Sequence, residues 1–216
     1  MVIEDDNSLD FLSQKGANIV EISSFPDTGA TSACLYLCSK YLKLHTEELS
    51  TIFFSGKNAP NAEYLSTLFF REEVARATTV LYDTNEAKLS LDYLAEIAKY
   101  SSLIIIDDFY NFILHKNYTF IREFMKKLLK ISVENATIIV LVNQNRYIVD
   151  SREYKFGSTE ATKTLYWEHL EAFVKIRLEV YKDDNRDIHI AMKSIQEKPR
   201  EDDFASFLGS MGRLEA

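Results

Sequence analysis

A chain of 216 residues that is 46% hydrophobic and 12% aromatic can bury a sizeable core and is too apolar for a disordered segment. Its formal net charge of −8 excludes generic polyanion binding by the whole surface, so any contact with nucleic acid has to be local. No apolar run approaches the roughly 20 residues that span a membrane, and the acidic start from Met1 to Asp6 lacks the regions of a signal peptide. With 6 Gly and 3 Pro there is little material for linkers, so we expect one intracellular domain over 1–216, opened by a polar lead-in at 1–17 with Leu9, Phe11 and Leu12 as anchors.

Ile19 to Ile22 reads as the first buried strand, and Thr31 to Leu44 as a mostly apolar helix. Cys34 and Cys38 lie four apart on that helix and share a face, which suits reduced packing residues. No further cysteine or histidine is placed to complete a metal site with them: His45, His115, His169 and His189 are scattered, and no metal is expected. Thr51 to Phe54 is a second strand, Ala62 to Arg71 a helix, and Thr79 to Tyr82 a third strand. Between Glu86 and Tyr100, Leu91, Leu94, Ala95 and Ala98 fall on one helical face.

Ser102 to Asp108 carries four aliphatics into an acid, the pattern of a central parallel strand that delivers the Asp107 carboxylate to the carboxyl edge of the sheet. Ile121, Phe124, Met125 and Leu128 mark the next helix, and Thr137 to Val142 a fifth strand that closes in Asn143-Gln144-Asn145. Arg146 to Thr164 is polar and without period. After it Val174, Ile176, Leu178 and Val180 alternate with Lys175, Arg177 and Glu179, a half-exposed strand. A turn at Lys182 to Asp187 and a return strand at Ile188 to Met192 make an antiparallel hairpin. The fold class is therefore α/β, a mostly parallel central sheet flanked by helices with a C-terminal antiparallel hairpin.

The junction after the first strand has the layout of a phosphate-binding loop, whose full motif is G-x-x-x-x-G-K-[ST]. Ser24, Phe25, Pro26, Asp27, Thr28, Gly29, Ala30 and Thr31 occupy its positions. Gly29 and Thr31 match. Ser24 replaces the first glycine, Ala30 stands where the lysine belongs, and Asp27 would repel phosphate. Loop amides and a helix N-terminus still favour an anion, but the group that meets the terminal phosphates is missing. An ordinary strand-turn-helix junction would read the same way.

Taken in order, these features resemble the RecA-type recombinases, and among them the eukaryotic and archaeal paralogues. They are the degenerate loop, the strand into Asp107, the strand into Asn143-Gln144, the polar loop, the hairpin and the tail from Lys198-Pro199 to Gly212. The likeness covers about Ile19 to Gly212 and implies a RecA-like P-loop ATPase core, with Ser24, Gly29, Ala30, Thr31 and Asp107 at the degenerate nucleotide site. Catalytic members carry a glutamate after the second core strand. Here Phe54-Ser55-Gly56-Lys57 offers a lysine and no acid. Two electrostatic supports for phosphoryl transfer are thus lost, while Thr31 and Asp107 remain as a pair that would share a magnesium ion. No sequence remains for the separate N-terminal helical domain of full-length recombinases.

The resemblance implies a pseudo-ATPase with no catalytic residues and no expected ATP or magnesium. Such a paralogue would join a second paralogue as a heterodimer and assist a recombinase filament on single-stranded DNA during homologous recombination and repair. Its place would be the nucleus, or the cytoplasm of a prokaryote. The alternative is a weak DNA-dependent ATPase whose unorthodox loop borrows a lysine from a neighbouring subunit; a third reading is a loop-bearing domain unconnected with DNA. Arg146, Arg152, Lys155 and Lys163 are the DNA-binding candidates, with Tyr147, Tyr154 and Phe156 available to stack on bases. Asp150, Glu153 and Glu160 dilute that charge, and a solvated charged loop is the competing reading. Phe53-Phe54, Phe69-Phe70 and Phe109-Tyr110 supply aromatics for core or interface.

Overall fold

The computed structural model describes residues 2–3, 18–45, 50–54, 78–82, 90–107, 109–113, 116–147, 162–164 and 167–195. Its strands are β1 (Val2–Ile3), β2 (Asn18–Ser24), β3 (Ser50–Phe54), β4 (Thr78–Tyr82), β5 (Leu103–Ile106), β6 (Ile138–Tyr147), β7 (Thr162–Thr164), β8 (Ile176–Lys182) and β9 (Ile188–Ile195). They lie in the order β1-β9-β8-β2-β6-β5-β3-β4, with β7 paired to β6 off that path. Neighbours along the path run parallel except β8 and β9, which form the expected antiparallel hairpin. The sheet is thus mostly parallel, as the aliphatic runs demand, since strands covered on both faces have no side to leave polar.

Helices cover the two faces separately. α1 (Ala30–Leu44) packs Cys34, Leu37, Cys38 and Tyr41 onto Val20, Ile22, Leu103 and Ile105. On the other face α2 (Leu91–Ala98), α3 (Phe109–Ile113) and α4 (Tyr118–Asn135) meet Ile19, Ile104, Ile106 and Leu141. Alternate residues of one strand therefore serve two cores. Both cysteines are buried, and neither is in a disulfide. α2 begins where the Ser90 hydroxyl accepts the Tyr93 amide at 3.1 Å, and α4 where Asn117 accepts the Phe120 amide at 2.8 Å, the caps their side chains favour. α5 (Trp167–Leu170) leads into β8. Among the described residues no helix is long and apolar enough to cross a membrane.

Two segments differ from the sequence reading. The stretch from Arg146 to Thr164 is not irregular throughout: β6 runs on past the sheet and pairs antiparallel with β7, so that Asn145, Arg146 and Tyr147 stand in register with Thr164, Lys163 and Thr162. The β-branched threonines at 162 and 164 suit a strand, a signal that the surrounding polar composition masks. The lead-in also joins the sheet, with Val2 and Ile3 parallel to His189 and Ile190 of β9. The expected helix at 62–71, the anchors Leu9, Phe11 and Leu12, Lys57, and the tail at 198–212 lie outside the described residues.

Candidate functional site

The carboxyl ends of β2, β5 and β6 converge at the middle of the sheet, and the loop from β2 to α1 hangs over them. Ser24 is buried as the last residue of β2. Beyond it the chain turns tightly: the Thr28 amide and hydroxyl both donate to the Phe25 carbonyl, at 3.4 and 2.7 Å. Asp27 has φ 61 and Gly29 φ 97, both left-handed. Asp27 is exposed and pays the steric penalty of that region more lightly than most residues would. At Gly29, which caps α1, a Cβ atom would lie 2.6 Å from Cδ1 of Ile188 on β9. Glycine is required there for conformation and for space alike.

Ala30 is the first residue of α1, so the lysine position of the motif is filled by a methyl group. One position on, the Thr31 hydroxyl donates to Asp107 Oδ2 at 2.8 Å. Asp107 follows β5 directly and is buried, and its charge, after burial itself, helps push the Cys34 thiol well above its ordinary range. A hydroxyl and a carboxylate so placed fit the magnesium side of a nucleotide site. The phosphate side fits less well, for want of the lysine. The hairpin places a cation nearby instead: Lys182 Nζ, at the exposed end of β8, donates to the Asp27 carbonyl at 2.7 Å. Among the described residues no group of three or more His, Cys, Asp or Glu is arranged to hold a metal.

A polar group that the motifs do not mark lies deeper. Glu21 is fully buried in β2, Arg177 is only 16% exposed in β8, and Asn143 is buried in β6. Glu21 Oε2 lies 3.1 Å from Arg177 Nε, close enough for an ion pair although off the line of a hydrogen bond. Its Oε1 accepts from Asn143 Nδ2 at 3.2 Å. Burial pushes the Glu21 carboxyl up to about 7, against the pull of the Arg177 charge and the Asn143 bond. Alternation alone sets Arg177 toward solvent with Lys175 and Glu179, and the structure corrects that, because the pairing of β8 with β2 sets it opposite Glu21. The one signal in the sequence is an acid inside the apolar run Ile19-Val20-Glu21-Ile22.

Of the DNA-binding candidates, Arg146 and Lys163 stand directly opposite each other across the β6–β7 ribbon. Arg152 and Lys155 lie outside the described residues, as do Tyr154 and Phe156. A further cationic and aromatic group gathers at the start of α4. Tyr118 and Phe120 are exposed, Lys116 Nζ lies 5.3 Å from the Phe120 ring centre, and Arg122 Nη1 donates to the Tyr118 hydroxyl at 3.0 Å. Because α4 connects β5 to the parallel β6, its N-terminus lies at the carboxyl edge, on the ribbon's side of the sheet. Phe109, one of the aromatics read as core or interface, is fully buried.

No family model and no curated protein sequence matches this chain. Among solved structures it is similar to the RadB recombinase, with a TM-score of 0.61 over 91% of this chain and 90% of that one, at 13% identity. At that identity the likeness is one of fold, and the fold is the RecA-like α/β core.

Proposed function

We propose that this chain is a non-catalytic recombinase paralogue, a subunit of a heteromeric complex that assists recombinase filaments on single-stranded DNA in homologous recombination and repair. The observation that carries the reading is Ala30 in the lysine position of an otherwise well-formed strand-loop-helix on a RecA-like core. The protein keeps the shape of a nucleotide site and lacks the charge that would act on a phosphoryl group. Arg146 and Lys163 on the ribbon, with Lys116, Tyr118 and Phe120 at the same edge, suit a single strand, whose phosphates take cations and whose bases stack on rings. A nuclear location and a second paralogue as partner belong to this reading.

The test is phosphate release by the purified chain with ATP, magnesium and single-stranded DNA, together with sedimentation alone and beside candidate paralogues. Release at background and a stable, ATP-independent heterodimer are expected. An ATP-dependent homofilament, or a monomer that ignores every such partner, would sink the scaffold reading. One observation favours a second reading, a weak ATPase: Lys182 already bonds the loop and could stand in for the missing lysine without help from a neighbour. Steady release abolished by both Asp107→Asn and Lys182→Ala would establish it.

A further inference from the structure

β6 changes partners at one point. Up to Gln144 it pairs with β2, where Gln144 faces Ser24; from Asn145 onward it pairs with β7. The side chain at that hinge is Asn143. Its Oδ1 accepts the Gln144 amide at 2.9 Å, while its Nδ2 donates to Glu21. Glu21 in turn stands in register with Arg177 on β8. The three neighbouring strands β8, β2 and β6 thus each give one polar side chain to a line that starts at the hairpin and ends at the root of the ribbon.

We propose that Arg177, Glu21 and Asn143 form a buried relay through which the charge state of Glu21 sets how the β6–β7 ribbon leaves the sheet, with Glu21 as the positioning residue. The relay goes beyond the function proposed above and stands whether or not the ribbon meets DNA.

The donors and acceptors dictate how it works. An ionised carboxylate only accepts, and it can accept from the Asn143 amide while pairing with Arg177. Arginine never gives up its proton, so the carboxyl oxygen beside it must stay an acceptor. A proton arriving on Glu21 therefore settles on Oε1, where it meets the NH2 group of Asn143, donor against donor. Rotating the Asn143 amide by half a turn removes the conflict, since its carbonyl then accepts from Glu21. That same rotation takes the carbonyl away from the Gln144 amide, and the hinge loses a hydrogen bond.

The surroundings let both states occur near neutral pH. Burial lifts the carboxyl to about 7 with Arg177 as the charge that opposes it. On the same face β8 and its lead-in also carry Glu179, half-buried, and Lys175, exposed. The covering elements α4 and α5 add Ile121, Leu128 and Leu170, and His169 meets Tyr118 edge-on with ring centres 4.6 Å apart. Thr31 and Asp107 belong to the opposite face, with α1.

The experiment is nuclear magnetic resonance of the full chain from pH 5.5 to 8.5, following the Glu21 carboxyl carbon, the Asn143 side-chain amide and the Gln144 backbone amide. All three are expected to titrate together, and the Gln144 amide to lose about five-fold in exchange protection on the acid side, the worth of one hydrogen bond. In Glu21→Gln the Gln144 signal should stop titrating. Should that variant fail to fold, Asn143→Ala serves: Glu21 should still titrate, with its midpoint moved upward for lack of the Asn143 bond, while Gln144 stays fixed. A Gln144 amide that titrates unchanged in either variant overturns the relay. So does a Gln144 amide in the unsubstituted chain that ignores a titrating Glu21, or a Glu21 that does not titrate in this range.

Discussion

Replacing Gly29 by alanine should uncouple two penalties that the structure lets one estimate separately. With φ at 97 the backbone lies where any L side chain is strained, at a cost of about 1 to 2 kcal/mol. The new methyl would also meet Ile188, whose Cδ1 stands 2.6 Å and Cγ1 3.0 Å from its place. Cδ1 is the far end of a flexible chain and can swing aside, while Cγ1, nearer the backbone, has to give by a few tenths of an ångström. Overpacking of this limited kind adds about 1 kcal/mol. Gly29→Ala should therefore destabilise the protein by roughly 2 to 3 kcal/mol in urea titrations, seen as a lower midpoint with an unchanged slope.

The second half of the cycle separates the penalties. Ile188→Val removes only Cδ1 and by itself should cost about 1 kcal/mol, since Ile188 is half-buried. In the double variant the closest contact is gone while the backbone strain remains. The double variant should then be more stable than the sum of the single effects predicts, by about 1 kcal/mol. Strict additivity would refute the steric part of the penalty and would leave conformation alone as the reason for glycine.

Glu21 makes stability depend on pH in a direction set by its raised pKa. The folded protein holds this proton more tightly than the unfolded chain, so stability should fall as pH rises from 4.5 to about 7 and then level off. At about 1.4 kcal/mol per pH unit the fall is about 3 kcal/mol, and urea titrations of Glu21→Gln should lack this pH dependence. Replacing Arg146, Arg152 and Lys155 by alanine should weaken single-strand binding and reduce the slope of log affinity against log salt by roughly 0.7 for each phosphate no longer neutralised. An unchanged slope in fluorescence titrations would assign those side chains to solvent.

The sheet is legible in the sequence because burial on both faces leaves a strong local trace. Leu103 to Ile106 and Ile138 to Val142 are aliphatic without interruption, and both are central strands. The alternation at Ile176 to Val180 places the hairpin yet misplaces Arg177, because alternation reports which face a residue takes and not what waits there. Whether Arg177 meets water or a carboxylate depends on β8 lying beside β2, and no local pattern records that order. The same holds for Lys182, whose partner Asp27 is 155 positions away. The ribbon is hard to read for a different reason: Thr162 and Thr164 suit a strand, but their polar surroundings mask that signal, and their partner is the end of β6 where it runs past the sheet.

The contacts around the loop bear on how a strand-turn-helix of this shape holds its form with alanine at position 30. In this protein the turn is closed by its own Thr28 hydroxyl, braced by Ile188 at Gly29 and tied by Lys182 at the Asp27 carbonyl, a charge-assisted bond to the backbone. Below it Thr31 and Asp107 hold each other across the α1 face. None of these contacts passes through the side chain at position 30. The loop's shape therefore belongs to the fold, with the hairpin as its support, and Ala30 removes a charge without removing a strut. On the reading proposed above, such a loop would let a RecA-like core meet a partner without taking part in phosphoryl transfer.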